Sequence, residues 1–158
     1  MKNKPWKNYA FWIAVTEIVG LIAGLISRKG TELYSETIIK PPLSPPALLF
    51  PIVWVLLYAV MGIGAAKISL SRPSETRRKA LYIYIAQLAV NFFWSIIFFN
   101  FQAFAFAYVW LLALWGLIVL MILSFRKLDK TAAYLQIPYL VWVSFAGYLN
   151  LGVWLLNR

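Results

Sequence analysis

Five long apolar blocks alternate with short polar segments along this chain. The blocks cover residues 9–27, 47–70, 80–100, 103–125 and 132–156. A run of about 20 apolar residues is long enough to cross the hydrocarbon core of a bilayer as a helix. The pattern therefore predicts an all-α integral membrane protein, a bundle of five transmembrane helices that forms one domain over residues 1–158.

A proline-rich segment separates the first two blocks. Residues 40–46 read Lys-Pro-Pro-Leu-Ser-Pro-Pro. Proline has no backbone N–H and pushes the preceding residue toward extended geometry, so this segment does not form a helix interior. We predict a stiff loop over residues 28–46 that covers one end of the bundle and leads into the second helix.

Composition and charge agree with a membrane protein. Hydrophobic residues make up 63% of the chain and charged residues 13%, with a net charge of +10. A basic balance can indicate nucleic-acid binding, but here the basic residues cluster at the ends of apolar blocks, as on a cytoplasmic membrane face. We therefore expect a lipid bilayer and no nucleic acid as partner. Eleven of the 15 Lys and Arg fall on the side of the N-terminus, so we expect a cytoplasmic N-terminus and an external proline loop and C-terminus.

The absence of histidine and cysteine removes several kinds of chemistry. Metal sites with nitrogen or sulfur ligands, the usual haem axial ligands and His-dependent nucleophiles all require these residues. We expect no metal and no required cofactor. Glu17 is the one carboxylate inside an apolar block, and it has no second acid for a proton relay.

Polar and amphipathic side chains at membrane depth are the candidate site residues. Gln87 and Asn91 lie one helical turn apart, so they share a helix face, and amides in hydrocarbon need partners. Together with aromatic residues of the second and fifth blocks they would line a flat aromatic cavity suited to a large planar apolar ligand. Amides that bond across helices, with the aromatic rings as core, explain the same pattern, and both interpretations stay open at this point. The candidate ligand-binding residues are Trp54, Tyr58, Gln87, Asn91, Trp94, Pro138, Tyr139, Trp142 and Ala146.

Four segments, in the same order, resemble the TspO/MBR family of tryptophan-rich sensory proteins, which includes the mitochondrial translocator protein. They are the proline segment 40–46, the Phe-Pro-Ile-Val-Trp-Val-Leu-Leu-Tyr segment 50–58, the Gln-Leu-Ala-Val-Asn-Phe-Phe-Trp segment 87–94, and the Pro-Tyr-Leu-Val-Trp segment 138–142, which continues to Asn150. The resemblance covers residues 33–157. It implies a five-helix bundle that forms a homodimer, with a ligand pocket under the first loop that includes Trp54, Tyr58, Asn91, Trp94, Trp142 and Ala146. At Leu43 many members have a tryptophan, so stacking on a ligand from the loop is expected to be weaker here.

The resemblance also implies a function. We expect a receptor or sensor in the bacterial cytoplasmic membrane that binds porphyrin-like ligands, protoporphyrin IX or haem. The alternative is an enzyme that breaks down porphyrin in light, with Trp54 and Trp142 as its electron-transfer residues. A transporter of tetrapyrroles or sterols is the third interpretation, although the chain shows no inverted repeat.

Overall fold

The computed structural model describes residues 4–158, and within that range every regular element is helical. Five stretches of helix are long and apolar enough to cross a membrane, which confirms the all-α membrane bundle. Lys2, which the sequence places with the other basic residues at the N-terminal end of the bundle, lies outside the described residues. The helices are α1 (Pro5–Thr37), α2 (Leu49–Ser69), α3 (Glu75–Ser95), α4 (Phe104–Arg126), the short α5 (Lys130–Tyr134) and α6 (Ile137–Leu156); α3 passes into a π-helical turn over Ile96–Asn100.

The first helix is longer than the sequence predicted. We expected it to end at residue 27, where Arg28 interrupts the apolar block, but α1 continues to Thr37. Packing explains the extension, because Gly30 lies against the backbone carbonyl of Phe99, where a β-carbon would clash. One turn later the ring of Tyr34 contacts that of Phe98 at 5.4 Å. The extended loop is thus residues 38–48 and not 28–46.

The bounds of α2 and α4 lie within two residues of the predicted ones, whereas the remaining helices differ more clearly from the prediction. α3 begins at Glu75 instead of residue 80, because the Ser74 side chain accepts the backbone N–H of Arg77 and so caps the helix. The predicted helix 132–156 is two helices, α5 and α6, separated by a turn before Ile137. Pro138 lies in the first turn of α6, where its missing N–H removes no helical hydrogen bond.

Small residues bring α1 and α2 together. Gly62 lies against the backbone of Ile13, and Gly20 lies against the ring of Tyr58, so that a β-carbon at either glycine would clash. By contrast, a β-carbon at Gly24 would meet nothing within 4 Å. The Gly20 and Gly62 segments therefore serve packing within one bundle. The expected homodimer stays a prediction.

The proline loop is attached to the end of α6. The Tyr148 hydroxyl donates to the carbonyl of Pro42 at 2.8 Å. The Asn157 amide donates to the carbonyl of Ile39 at 2.9 Å and accepts the Ile39 N–H at 3.0 Å. Leu43, at the tip, has φ 67° and a side chain that is 83% exposed, so it points away from the bundle.

At the opposite end, an ion pair joins α2 to the segment before α5. Lys67 Nζ lies 3.2 Å from a carboxylate oxygen of Asp129, whose other oxygen accepts the Ala132 N–H at 2.8 Å and caps α5. Partial burial alone would raise the pKa of Asp129. The Ala132 N–H and the Lys67 ammonium outweigh that effect and hold the pKa below its usual value.

Candidate functional site

A chain of buried hydrogen bonds connects three helices at the centre of the bundle. The Tyr58 hydroxyl of α2 donates to Asn91 Oδ1 of α3 at 2.9 Å. The Asn91 amide nitrogen donates to the Tyr139 oxygen of α6 at 2.7 Å, and the Tyr139 hydroxyl donates to Gln87 Oε1 at 2.8 Å. All four side chains are buried. The sequence prediction that Gln87 and Asn91 face the bundle interior is confirmed.

Helical spacing explains why the network has this form. Gln87 and Asn91 are separated by one turn of α3, so their amides point to the same side and a single phenol of α6 can bridge them. Amides and phenols at membrane depth have no water to bond to, so interhelical pairing satisfies them. The network therefore fixes the relative positions of α2, α3 and α6.

Aromatic rings surround this network on the side of the proline loop. The Trp54 ring stacks on Tyr58 with centroids 5.3 Å apart and meets the edge of Tyr139 at 6.2 Å. The Trp142 ring, one turn beyond Tyr139 on α6, packs against Phe50 at 5.8 Å. We expected a flat cavity here, but the rings and amides are in direct contact with one another.

Two donors at this site have no acceptor. Gln87 Nε2 and Trp142 Nε1 are both buried, and in the described part of the chain no hydrogen-bond partner is placed for either. A buried N–H without a partner costs about 1–3 kcal/mol, so such groups in a native structure require an explanation. They are the two polar groups here that remain available to a ligand.

The remaining predicted site residues divide between the site and its surroundings. Ala146 is buried, one turn beyond Trp142. Pro138 is exposed at the start of α6, so its role is to begin the helix. Trp94 donates its indole N–H to Asn150 Oδ1 at 3.2 Å and stacks on Phe98, in an aromatic cluster beside the π-helical turn.

Two residues of this region, Phe50 and Asn150, are not among the predicted site residues. Phe50 contacts Trp142, and its position one turn before Trp54 was a usable signal. Asn150 bridges two helices, since it accepts from Trp94 and donates to the carbonyl of Phe104 at 2.8 Å. An apolar hollow of about 350 Å³ lies outside the site, and it is lined by α2 alone, at Pro51, Ile52, Val55 and Leu56.

The helices and the site define an α-helical, multi-pass membrane protein with an aromatic and amide-lined centre. The profile of the TspO/MBR family matches residues 12–155. The chain is 35% identical to the tryptophan-rich protein TspO of Chlorobaculum tepidum over 98% of its own length and 99% of that protein. It is 30% identical to the tryptophan-rich sensory protein of Cereibacter sphaeroides, over 98% of this chain and 94% of that one. It is also 30% identical to the translocator protein of Bos taurus, over 98% and 92% respectively. The chain belongs to the TspO/MBR family.

Proposed function

We propose that this protein is a membrane receptor that binds planar tetrapyrroles, such as protoporphyrin IX or haem, at the central aromatic site. The observation that carries the proposal is the pair of buried, unpartnered donors, Gln87 Nε2 and Trp142 Nε1. Gln87 accepts from the Tyr139 hydroxyl, and Trp142 lies one turn beyond Tyr139 on α6. A ligand that supplies acceptors to both donors and a flat apolar face to the rings would satisfy the whole site.

A tetrapyrrole has both properties. Its macrocycle presents a wide π-face, and its two carboxylates supply acceptors. Because the chain contains neither histidine nor cysteine, stacking and hydrogen bonds would hold the ring, and a metal-free porphyrin fits this mode as well as haem. Ligand entry would exchange the contact of Trp142 with Phe50 for contacts with the macrocycle. A sensory role agrees with the name of the Cereibacter sphaeroides relative.

Trp142→Phe is the sharpest test, because the indole N–H that it removes has no partner within residues 4–158. The variant should fold as well as the wild type while it binds protoporphyrin IX more weakly. Loss of one hydrogen bond of about 0.5–1.5 kcal/mol predicts a dissociation constant about 2–10-fold higher. The measurement is a titration of the detergent-purified protein in darkness, followed by tryptophan quenching and the porphyrin spectrum.

Trp115→Phe is the matched control. The Trp115 ring is 42% exposed on α4, and its indole N–H donates to Ser144 at 2.9 Å, away from the site. This variant should keep wild-type affinity for the porphyrin. The proposal fails if the wild type shows no saturable binding, or if Trp142→Phe and Trp115→Phe bind equally well.

We further propose that the protein lies in the cytoplasmic membrane as a homodimer with its N-terminus inside. The Lys and Arg distribution supports this orientation. Because the chain has no cysteine, single cysteines introduced at Ser71 and at Leu43 report the two sides in intact cells. An impermeant maleimide should label the cysteine at position 43 and spare that at 71; the reverse pattern would overturn the orientation.

A further inference from the structure

A second concave site lies at the end of the bundle opposite the proline loop. The hollow has a volume of about 310 Å³ and is lined by Lys4, Pro5, Lys7, Asn8 and Leu70. Its lining comes from Lys4, which precedes α1, from the first turn of α1, and from the residue that follows α2. Its volume falls at the lower end of the range of small-molecule sites.

Hydrogen bonds hold the walls of the hollow in place. Ser69, at the end of α2, donates its hydroxyl to Asn8 Oδ1 at 2.6 Å. The Arg77 guanidinium of α3 donates to the carbonyls of Ser69 at 3.2 Å and Ser71 at 2.9 Å. The ends of three helices are thus joined beneath the hollow. Because the Asn8 oxygen is engaged, the Asn8 amide nitrogen is the group that remains to donate.

The positive charge of the hollow is not neutralised by the protein. Lys4 and Lys7 form no ion pair in the part of the chain that the structure describes, and the first turn of α1 contains no acidic residue. The carboxylates at this end, Asp129 and Glu75, are paired with other basic side chains. Two lysines therefore line the hollow without a counter-ion from the protein.

The surroundings of the hollow are those of a membrane interface. Trp6, which follows Pro5 in the first turn of α1, is 62% exposed, and Lys7 Nζ lies 5.9 Å from the centre of its ring. Tryptophan is enriched where the lipid headgroups meet the hydrocarbon core. Leu70 and Pro5 give the hollow an apolar part next to its two lysines. A free phosphate ion would use only the lysines and the amide, whereas a phospholipid would also use the apolar part.

From these observations we infer that the hollow binds the phosphate of an anionic phospholipid. Lys4 and Lys7 supply the charge, the Asn8 amide donates to a phosphate oxygen, and Leu70 and Pro5 contact the glycerol and the first methylenes of the acyl chains. Basic clusters at the membrane surface attract anionic lipids by about 1 kcal/mol for each Lys or Arg. The site is separate from the central aromatic site and does not depend on its function.

Native mass spectrometry of the full-length protein in detergent tests this site. The protein is titrated with phosphatidylglycerol and, in parallel, with phosphatidylcholine, and the ratio of the two dissociation constants gives the preference for the anionic lipid. The test variant is the double substitution Lys4→Gln, Lys7→Gln. The control is Lys127→Gln, Lys130→Gln, which removes the same charge from exposed positions on the same end of the bundle.

We expect the wild type and the control to prefer phosphatidylglycerol. In the variant at Lys4 and Lys7, the ratio of the two dissociation constants that expresses this preference should be about 10–30-fold lower. Inorganic phosphate at millimolar concentration should not displace the lipid. If both double variants lose this preference equally, the anionic lipid is attracted by the whole basic end of the bundle, and the proposed site is wrong. Displacement by inorganic phosphate would overturn the lipid as its ligand. Equal binding of the two lipids by the wild type would contradict the inference outright.

Discussion

The buried hydrogen-bond network makes a sharp prediction about one hydroxyl group, that of Tyr139. This group joins two amides, since it accepts from Asn91 at 2.7 Å and donates to Gln87 at 2.8 Å. Tyr139→Phe keeps the ring and removes both hydrogen bonds. The Tyr58 hydroxyl makes a single bond, to Asn91 at 2.9 Å. We therefore expect Tyr139→Phe to cost about twice as much stability as Tyr58→Phe.

The magnitude follows from the number of bonds lost. Interhelical hydrogen bonds in membrane proteins contribute about 0.6 kcal/mol on average and at most about 1.7 kcal/mol. Two bonds give about 1–3 kcal/mol for Tyr139→Phe, and one bond gives about half of that for Tyr58→Phe. The upper part of each range is favoured because the amide groups left behind are fully buried and have no water to bond to.

The assay is reversible unfolding in mixed micelles, with the free energy taken from the helical circular dichroism signal. Tyr82→Phe is the control, because the Tyr82 side chain is 66% exposed on α3, outside the network, and this change should leave stability unaltered. A Tyr139→Phe protein as stable as Tyr82→Phe, or more stable than Tyr58→Phe, would show that the network does not fix the three helices.

Three further predictions concern the bundle and its ends. Gly62→Ala should destabilise the protein by about 1–3 kcal/mol because its β-carbon would clash with α1. Gly24→Ala should be neutral or stabilising by up to about 1 kcal/mol. Thermal unfolding compares the two variants, and equal effects would contradict the close packing of Gly62 against α1. Because the folded-state pKa of Asp129 lies below its unfolded value, its ion pair stabilises the protein at neutral pH by less than about 1 kcal/mol. This stabilisation is lost as the pH falls below about 4. The difference in stability between the wild type and Asp129→Asn should therefore disappear in acid. A difference that grows in acid would show that the pKa of Asp129 is raised by folding and not lowered. Asn157→Ala should speed hydrogen exchange of the Ile39 amide, since that N–H loses its acceptor; unchanged exchange would show that the loop does not depend on this contact.

The sequence predicted the spans better than it predicted the helix ends. Apolar blocks mark membrane crossing, and all five spans are present. They do not mark where a helix stops, because α1 continues beyond the apolar block through packing of Gly30 against Phe99 and ends only at Thr37. That contact depends on the π-helical turn after α3, which no local pattern in residues 28–37 indicates.

The inward face of α3 was predictable from the sequence, whereas the hydrogen-bond partners of its amides were not. Spacing along α3 placed Gln87 and Asn91 on one face. Their partners depend on the register between helices, which a single sequence does not reveal, so the bridging role of Tyr139 emerged from the structure. Trp94 shows the limit of spacing arguments, because its indole N–H bonds Asn150 and its ring stacks in a second aromatic cluster.

The indole N–H spectrum shows directly whether a porphyrin reaches Trp142. It is recorded on the ¹⁵N-labelled protein in micelles during a titration with protoporphyrin IX in darkness. The Trp142 signal is assigned as the one absent from Trp142→Phe, and that of Trp115 likewise. If the porphyrin binds at the central site, the Trp142 signal should show a large, saturable shift because its N–H gains an acceptor, while the Trp115 signal stays in place. A Trp142 signal that does not move at saturating porphyrin would contradict the proposed binding site.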